Sequence, residues 1–291
     1  MAGIFVSECQ EGQPVPVPCA SLDVQAYTRA APDKTTGNED RAATFEPGEA
    51  SVVLAVADGL GGMPAGDEAS QLAIETLDRK LAAAAGDVPL RSHIIDAFEE
   101  ANRHIRELGG GAGTTFAVAE IEAGRLRTYH VGDSAVLAVG QRGRIKLETI
   151  AHSPVGYGVA AGLIEPEEAL HHDDRHYLSN HLGAQDMHIV VGSPIPLARR
   201  DTVLLATDGL FDNLHPTEIV DRIRKGPLAG AARGLATTCS ARMKGRSGES
   251  PAKPDDATFI LARGRDGFDA DRGTSAPGAG SRASSGGGRR V

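Results

Sequence analysis

Residues 52–62, VVLAVADGLGG, and residues 202–214, TVLLATDGLFDNL, share one arrangement: an apolar run that ends in Asp-Gly. Each run reads as a buried strand of β-branched and aliphatic residues. The glycine that stops it lets the chain turn sharply and brings a backbone carbonyl within reach of a ligand. A carboxylate at the end of a buried strand is costly to leave uncompensated, so it takes up a cation, a hydrogen-bond network or a proton. Two such mounts, Asp58 and Asp208, point to a shared cation.

Other acids extend the pattern. Asp133 follows an apolar run in YHVGDSAVLAVG, Asp255 and Asp256 precede ATFILA, and Glu39 and Asp40 form a pair in GNEDR. They lie far apart in sequence, as hard-metal sites require, because oxygen donors for magnesium or manganese converge from separate strand ends.

In order along the chain stand NEDR (38–41), VADGLGGMPAGDEAS (56–70), GAGTT (111–115), HVGDS (130–134), LLATDGLFDNL (204–214) and DDATFIL (255–261). This ordered set resembles the metal-dependent serine/threonine protein phosphatases of the protein phosphatase 2C (PPM) family, bacterial type, over roughly residues 20–262. Each motif alone is weak, since Asp-Gly is a common turn. The resemblance implies hydrolysis of phosphoserine and phosphothreonine in proteins by a hydroxide shared between two divalent ions, Mn2+ or Mg2+, with a third, weaker ion in bacterial members. It implies that Asp58 bridges the two ions, that the Gly59 carbonyl holds one, and that Asp208 and Asp255 hold the other. Glu39, with Asp40 behind it, contacts the second ion directly or through water, and Asp133 helps hold the third. Asp256 stands where the family usually has asparagine.

Phosphate monoesters demand such a site: positive charge on the phosphoryl oxygens and a strong nucleophile at neutral pH, which two ions about 3.5–4 Å apart supply together. No cysteine phosphatase loop and no G-x-S-x-G elbow competes for the role. The chain departs from the family pattern twice. Leu60 stands where many eukaryotic members carry a histidine, and Thr35 replaces a phosphate-gripping arginine. Lys34 is the nearest substitute as a point charge, with Arg29 and Arg41 as further candidates.

Periodicity alone gives an α+β chain. Strands are expected near 22–28, 51–57, 115–121, 126–131, 135–139, 187–191, 202–207 and 257–262. Helices are expected at about 67–85, 89–108, 216–224 and 228–243. Adjacent short strands with helices grouped between them favour antiparallel sheets. The resemblance adds a sandwich of two antiparallel β-sheets flanked by α-helices, four layers αββα, with the metals at one end between the sheets. The expected catalytic domain is 20–263, with a flap at about 150–186. Residues 1–19 are an edge strand, an extended lead-in or loose, and 264–291, rich in Gly, Ser and Arg, are a disordered tail.

Thirty basic against 39 acidic residues leave a net charge of −9, with no basic stripe interleaved with aromatics, which argues against nucleic acid. Three cysteines without a CxxC pair suit a reducing compartment, with Cys239 a small core residue. No apolar run or leader pattern suggests a membrane or export. The expected protein is a cytoplasmic monomer whose partners are phosphorylated proteins, the substrates of a Ser/Thr kinase in bacterial signalling. The flap cluster His171, His172, Asp173, Asp174 and His176 has metal-binding residue types, but its adjacent histidines diverge and it lacks zincin spacing. Two rivals share the motifs: a pseudophosphatase that binds phosphoproteins, and a phosphatase of a small phosphoester.

Overall fold

The computed structural model describes residues 3–60, 65–84, 88–245 and 251–268. From the N-terminus come β1 (Ile4–Phe5), β2 (Val15–Val17), β3 (Leu22–Arg29), β4 (Asp40–Gly48) and β5 (Ser51–Asp58). Two helices follow, α1 (Gly66–Ala82) and α2 (Leu90–Leu108). The chain then runs through β6 (Phe116–Glu122), β7 (Arg125–Val131), β8 (Ala135–Val139) and β9 (Ile145–Glu148) into a flap with short helices α3 (Pro154–Ala160) and α4 (Pro166–Ala169). It closes with β10 (Val190–Val191), β11 (Ile195–Pro196), β12 (Thr202–Ala206), α5 (Asp208–Phe211), α6 (Pro216–Ile223), α7 (Leu228–Met243) and β13 (Ala257–Gly264).

All described strand pairs are antiparallel and form two sheets. One runs β1-β4-β5-β6-β7-β10, with β11 also on β7, and the other β2-β3-β13-β12-β8-β9. Alternation along the strands builds the layers. In β5, Val53, Ala55 and Ala57 turn to α1 and α2, where they meet Ile74, Leu77, Ile94 and Phe98. Val52, Leu54 and Val56 turn the other way, to Val24, Ala26, Leu205 and Ile260 of the second sheet. The outer face of that sheet, with Tyr27, Leu204 and Phe259, is covered by Leu210, Ile219, Leu235 and Ala236 of α5–α7. The result is the expected four-layer αββα sandwich.

At one end the inward positions change character. Continuing the inter-sheet series of each strand past its aliphatic residues gives Asp40 on β4, Asp58 on β5, Thr115 before β6, Ser134 before β8, Thr207 after β12, and Asp256 and Thr258 on the β13 side. Asp40 and Asp58 are direct cross-strand partners. Hydroxyls tie the sheets together here: Thr115 to Ser134 at 2.6 Å, and Thr207 Oγ1 donating to Asp40 Oδ2 at 2.9 Å, while Thr28 bonds Thr258 at 2.6 Å across neighbouring strands of one sheet. The apolar sandwich thus ends in a polar mouth lined by acids.

Several elements differ from the expected ones. The opening segment supplies an edge strand to each sheet, and Cys9 and Cys19 are buried. Pro16 is tolerated there because an edge strand needs pairing on one side only. Strand β4 was not expected, since DRAATFEPG has small and charged residues where a strand normally shows β-branched ones. The second Asp-Gly run ends at Ala206, and Asp208 opens helix α5 rather than closing the strand. Only Val190–Val191 of the expected strand 187–191 pairs. At the C-terminus, the Arg265 amide donates to the Ser21 carbonyl at 3.0 Å and Phe268 packs on the inter-sheet core. The rest of the expected tail, the expected helix end at Ala85 and the glycines Gly61 and Gly62 lie outside the described residues.

One buried ion pair fixes the helices behind the acidic mouth. Arg242 of α7, 5% exposed, donates to both Glu218 oxygens of α6 at 2.8 and 2.9 Å, and to the Asn213 carbonyl at 2.6 Å. Removing one partner strands the others, and Glu218 is partly solvated, so Arg242→Ala is expected to cost about 2–3 kcal/mol. In a chain of this size that is roughly a 4–10 °C fall in melting temperature. Thermal denaturation followed by circular dichroism checks it, and an unchanged midpoint would show that the pair contributes nothing.

Candidate metal and phosphate site

A cavity of about 420 Å3 opens at the acidic end. Its walls carry Glu39, Asp58, Asp133, Asp208, Asp255 and Asp256, the backbone at Gly59, and two lysines, Lys34 and Lys253. The flap closes one side with His176, Tyr177, Leu178 and His181, and Leu60 supplies an apolar patch. Separate strand and helix ends deliver the acids, as the motif spacing requires.

Close backbone approach explains the two glycines. A Cβ at Gly59 would collide with the Gly66 carbonyl, and one at Gly209 with the Asp256 carbonyl. Each collision is with main chain, which has no rotamer to escape into. Gly209→Ala should therefore push α5 away from the 255–256 segment and spread Asp208 from Asp255. A displacement near 1 Å at reacting groups costs on the order of 10²-fold. Turnover measured beside circular dichroism tests this: retained fold with unchanged kcat would show that the approach does not matter.

Asp58 is half-buried, and among the described residues no donor or cation reaches its carboxylate. Burial pushes its carboxyl well above the ordinary range, and the charges of Asp40, Asp208, Asp255 and Asp133 push it further. Asp40 lies behind it, 2% exposed, with Oδ1 unpartnered, and burial and Asp256 raise it likewise. Asp133 is pushed up to about 8 by burial, then by Asp208 and Asp212, and Asp255 to about 6 by burial and Asp208.

The other acids have found partners. Lys253 Nζ stands 2.7 Å from Asp208, 2.8 Å from Asp212 and 3.0 Å from Asp255. Lys34 Nζ bridges Glu39 and Asp256 at 2.6 and 2.7 Å. Asp256 also accepts from the amides of Ala31 and Glu39, at 2.8 and 2.7 Å. With ammonium groups between the carboxylates, no three His, Cys, Asp or Glu side chains among the described residues close around one point. The donor set still suits a hard divalent ion: it is all oxygen, strongly negative, and includes Asp58, whose carboxylate no donor or cation among the described residues reaches.

Of the three expected phosphate-binding cations, the structure brings only Lys34 to the cavity. Alternation turns Arg29 to the outer face of its sheet, where Nη1 donates to the Cys9 carbonyl at 2.8 Å. Arg41 turns toward α1, where Nε donates to Gln71 at 2.9 Å and Nη1 to the Asn38 and Asp40 carbonyls. The flap histidines do not gather: His172 Nδ1 accepts from the Asp174 amide at 3.1 Å and caps the 3-10 turn Asp173–His176.

Three positions in and behind the cavity escaped the sequence. Lys253 and Asp212 sit in the cavity's charge network, and only the i, i+4 spacing of Asp212 from Asp208 hinted at a common face. His152 ties the flap to the mouth. Its Nδ1 accepts from the Gly132 amide at 3.1 Å and from Asn180 Nδ2 at 2.8 Å, joining both flap ends to the residue before Asp133. Burial, with His130 and His188 alongside, lowers the His152 imidazole to about 4.

A sequence model of the protein phosphatase 2C family matches residues 31–238. This chain belongs to that family. Among curated relatives, the serine/threonine phosphatase stp of Listeria welshimeri is 29% identical over 196 residues, 64% of this chain and 77% of the relative. Protein phosphatase PhpP of Streptococcus pneumoniae is 29% identical over 210 residues, 69% and 85% of the two chains. Among solved structures, the S. agalactiae serine/threonine phosphatase superposes with a TM-score of 0.71 at 26% identity, covering 84% of this chain and 100% of the other. The catalytic domain of the serine/threonine phosphatase PstP in complex with two manganese ions gives 0.67 at 25% identity, with 84% and 98% covered. Family membership accounts for the order of the acidic motifs and for the two-sheet sandwich that gathers them.

Proposed function

We propose that this member of the protein phosphatase 2C family removes phosphate from phosphoserine and phosphothreonine in proteins, using two divalent ions, manganese or magnesium, in bacterial signalling. The observation that carries the proposal is Asp58: a half-buried carboxylate, facing a cavity, ringed by acids and neutralised by no described residue. Such an arrangement is stable only when a cation or proton joins it. Asp58 and the Gly59 carbonyl would hold one ion and Asp58 with Asp208 and Asp255 the other, with Glu39, and Asp40 behind it, contacting the second ion directly or through water. Asp133 would help hold a third. When bound, such ions polarise the phosphoryl oxygens and lower the pKa of an attacking water.

The chain's own groups do the rest. Lys34, 20% exposed and paired with two acids, would take a phosphoryl oxygen in place of the absent arginine. Tyr177 and Leu178 of the flap, with Leu60, narrow the cavity around the ester and shed water from it. Among the described residues no helix is long and apolar enough to cross a membrane, and the three cysteines are free and buried. A reducing cytoplasm, with phosphoproteins as partners and no nucleic acid, is the setting we assign.

A phosphothreonine peptide assay tests the reaction. Turnover should appear with Mn2+, fall at least 100-fold on chelation and return on adding metal. Activity indifferent to chelator would overturn the mechanism. A second reading, a silent phosphoprotein-binding module, draws on Lys34 and Lys253, which already pair with five acids without any ion. Calorimetry separates the two, since the module should take up no Mn2+ in a manner that Asp58→Asn abolishes.

A further inference from the structure

Lys253 belongs to none of the motifs, yet it is the best-held cation in the cavity. Its mount is rigid. The fully buried Asn213 accepts the Lys253 amide at Oδ1, 3.0 Å, and donates through Nδ2 to the Lys253 carbonyl and to the Gly209 carbonyl, both at 2.8 Å. One side chain thus locks the Lys253 backbone to the turn that carries Asp208. From there the lysine stem reaches into the mouth and sets its ammonium among Asp208, Asp212 and Asp255, at 2.7–3.0 Å. An ammonium has three N–H donors, and three carboxylates surround this one.

We propose that the Lys253 ammonium is a tethered cation standing in for one of the two divalent ions, the one that Asp208 and Asp255 would share with Asp58. A divalent ion on those carboxylates would lie within about 3 Å of a positive charge. That repulsion is several kcal/mol even at an effective dielectric of 20, so the two cannot occupy the set together. The lysine is covalently attached, and a short tether presents its charge at millimolar or higher effective concentration. An incoming ion must displace it, and the apparent affinity falls by the fraction of time the lysine is in place. Asp58 is not among the ion-pair partners of Lys253, so an ion on Asp58 and the Gly59 carbonyl need not displace it. The chain therefore takes up one divalent ion without that competition, and the second ion of the proposed reaction only by displacing Lys253.

Because this assignment presupposes the metal-dependent reaction proposed above, the test counts ions rather than turnover. Full-length protein, stripped with chelator, is titrated with Mn2+ by calorimetry, and bound manganese is measured by elemental analysis after gel filtration. Wild type should retain one tight equivalent and Asp58→Asn none. Lys253→Ser and Lys253→Gln should each gain a second, or tighten a weak second one at least tenfold. Two tight ions in wild type, or a count and affinity unmoved in both variants, would overturn the assignment while leaving the metal reaction standing. No bound manganese in any protein would sink both. If neither variant folds, the wild-type count decides alone: one supports the tethered cation, two refutes it.

Discussion

Replacing Asp58 by asparagine is expected to silence the enzyme and at the same time to raise the stability of the metal-free chain. The two effects have one cause. Asp58 continues the inward series Val52, Leu54, Val56, so the sandwich itself aims its carboxylate between the sheets. Without an ion, that charge faces Asp40, Asp208, Asp255 and Asp133, and no described donor offsets them. Asparagine keeps the shape and drops the charge. Removing an uncompensated enclosed charge should stabilise the stripped protein by about 1–2 kcal/mol, roughly 3–6 °C in melting temperature. Loss of the carboxylate that both metals would share should cost several kcal/mol of transition-state stabilisation, on the order of 10³-fold in kcat. Scanning fluorimetry in chelator and in Mn2+ reads both sides: wild type should melt lower than the variant in chelator and gain stability from Mn2+, while the variant gains little. If Asp58→Asn melted lower than wild type in chelator, the carboxylate would be a structural acceptor and its role as metal ligand would be lost.

That conflict between stability and function is what made the site readable. Asp-Gly after an apolar run is legible because burying a carboxylate is costly, and repeating it at Asp58 and Asp208 points to a common charge. Of the fold, period-two strands and helices with an apolar stripe made legible an α+β chain with antiparallel sheets, while the sandwich came from the family resemblance. What escaped has a physical reason in each case. Strand β4 is sealed on both faces by small residues, so its sequence lacks the aliphatic alternation of a strand. The orientations of Arg29 and Arg41 depend on which sheet face each residue occupies, and a shift of one residue reverses the answer. Lys253 depends on Asn213, 40 residues earlier, turning its backbone toward the mouth. A charged residue next to Pro254 reads as an exposed turn until that bond is seen.

The metal-free chain is also expected to lose stability as pH rises from about 6.5 to 8, the reverse of a protein held by ordinary salt bridges. Asp133 is pushed up to about 8, and Asp58 and Asp40 well above the usual range, chiefly by burial. In the unfolded chain all three ionise near the ordinary carboxylate value, 3.8. Between that value and the raised one, the folded state binds more protons than the unfolded state, so the stability is complete below about pH 4 and is lost as pH climbs through the folded values. His152, lowered to about 4, and His130 work the other way below 6.5, where the unfolded chain takes up their protons. Above 6.5 those histidines are neutral in both states and their opposition ends. Three groups at up to 1.36 kcal/mol per pH unit, reduced because water enters the cavity, give a fall of about 2 kcal/mol from pH 6.5 to 8, or roughly 4–8 °C. Saturating Mn2+ should abolish most of the slope, because an ion that binds the folded state alone favours the ionised carboxylates. Melting curves in chelator across this range decide the matter: a midpoint that stays level or climbs toward pH 8 would mean that the acids at the mouth are already compensated within the fold, leaving no electrostatic demand for a metal.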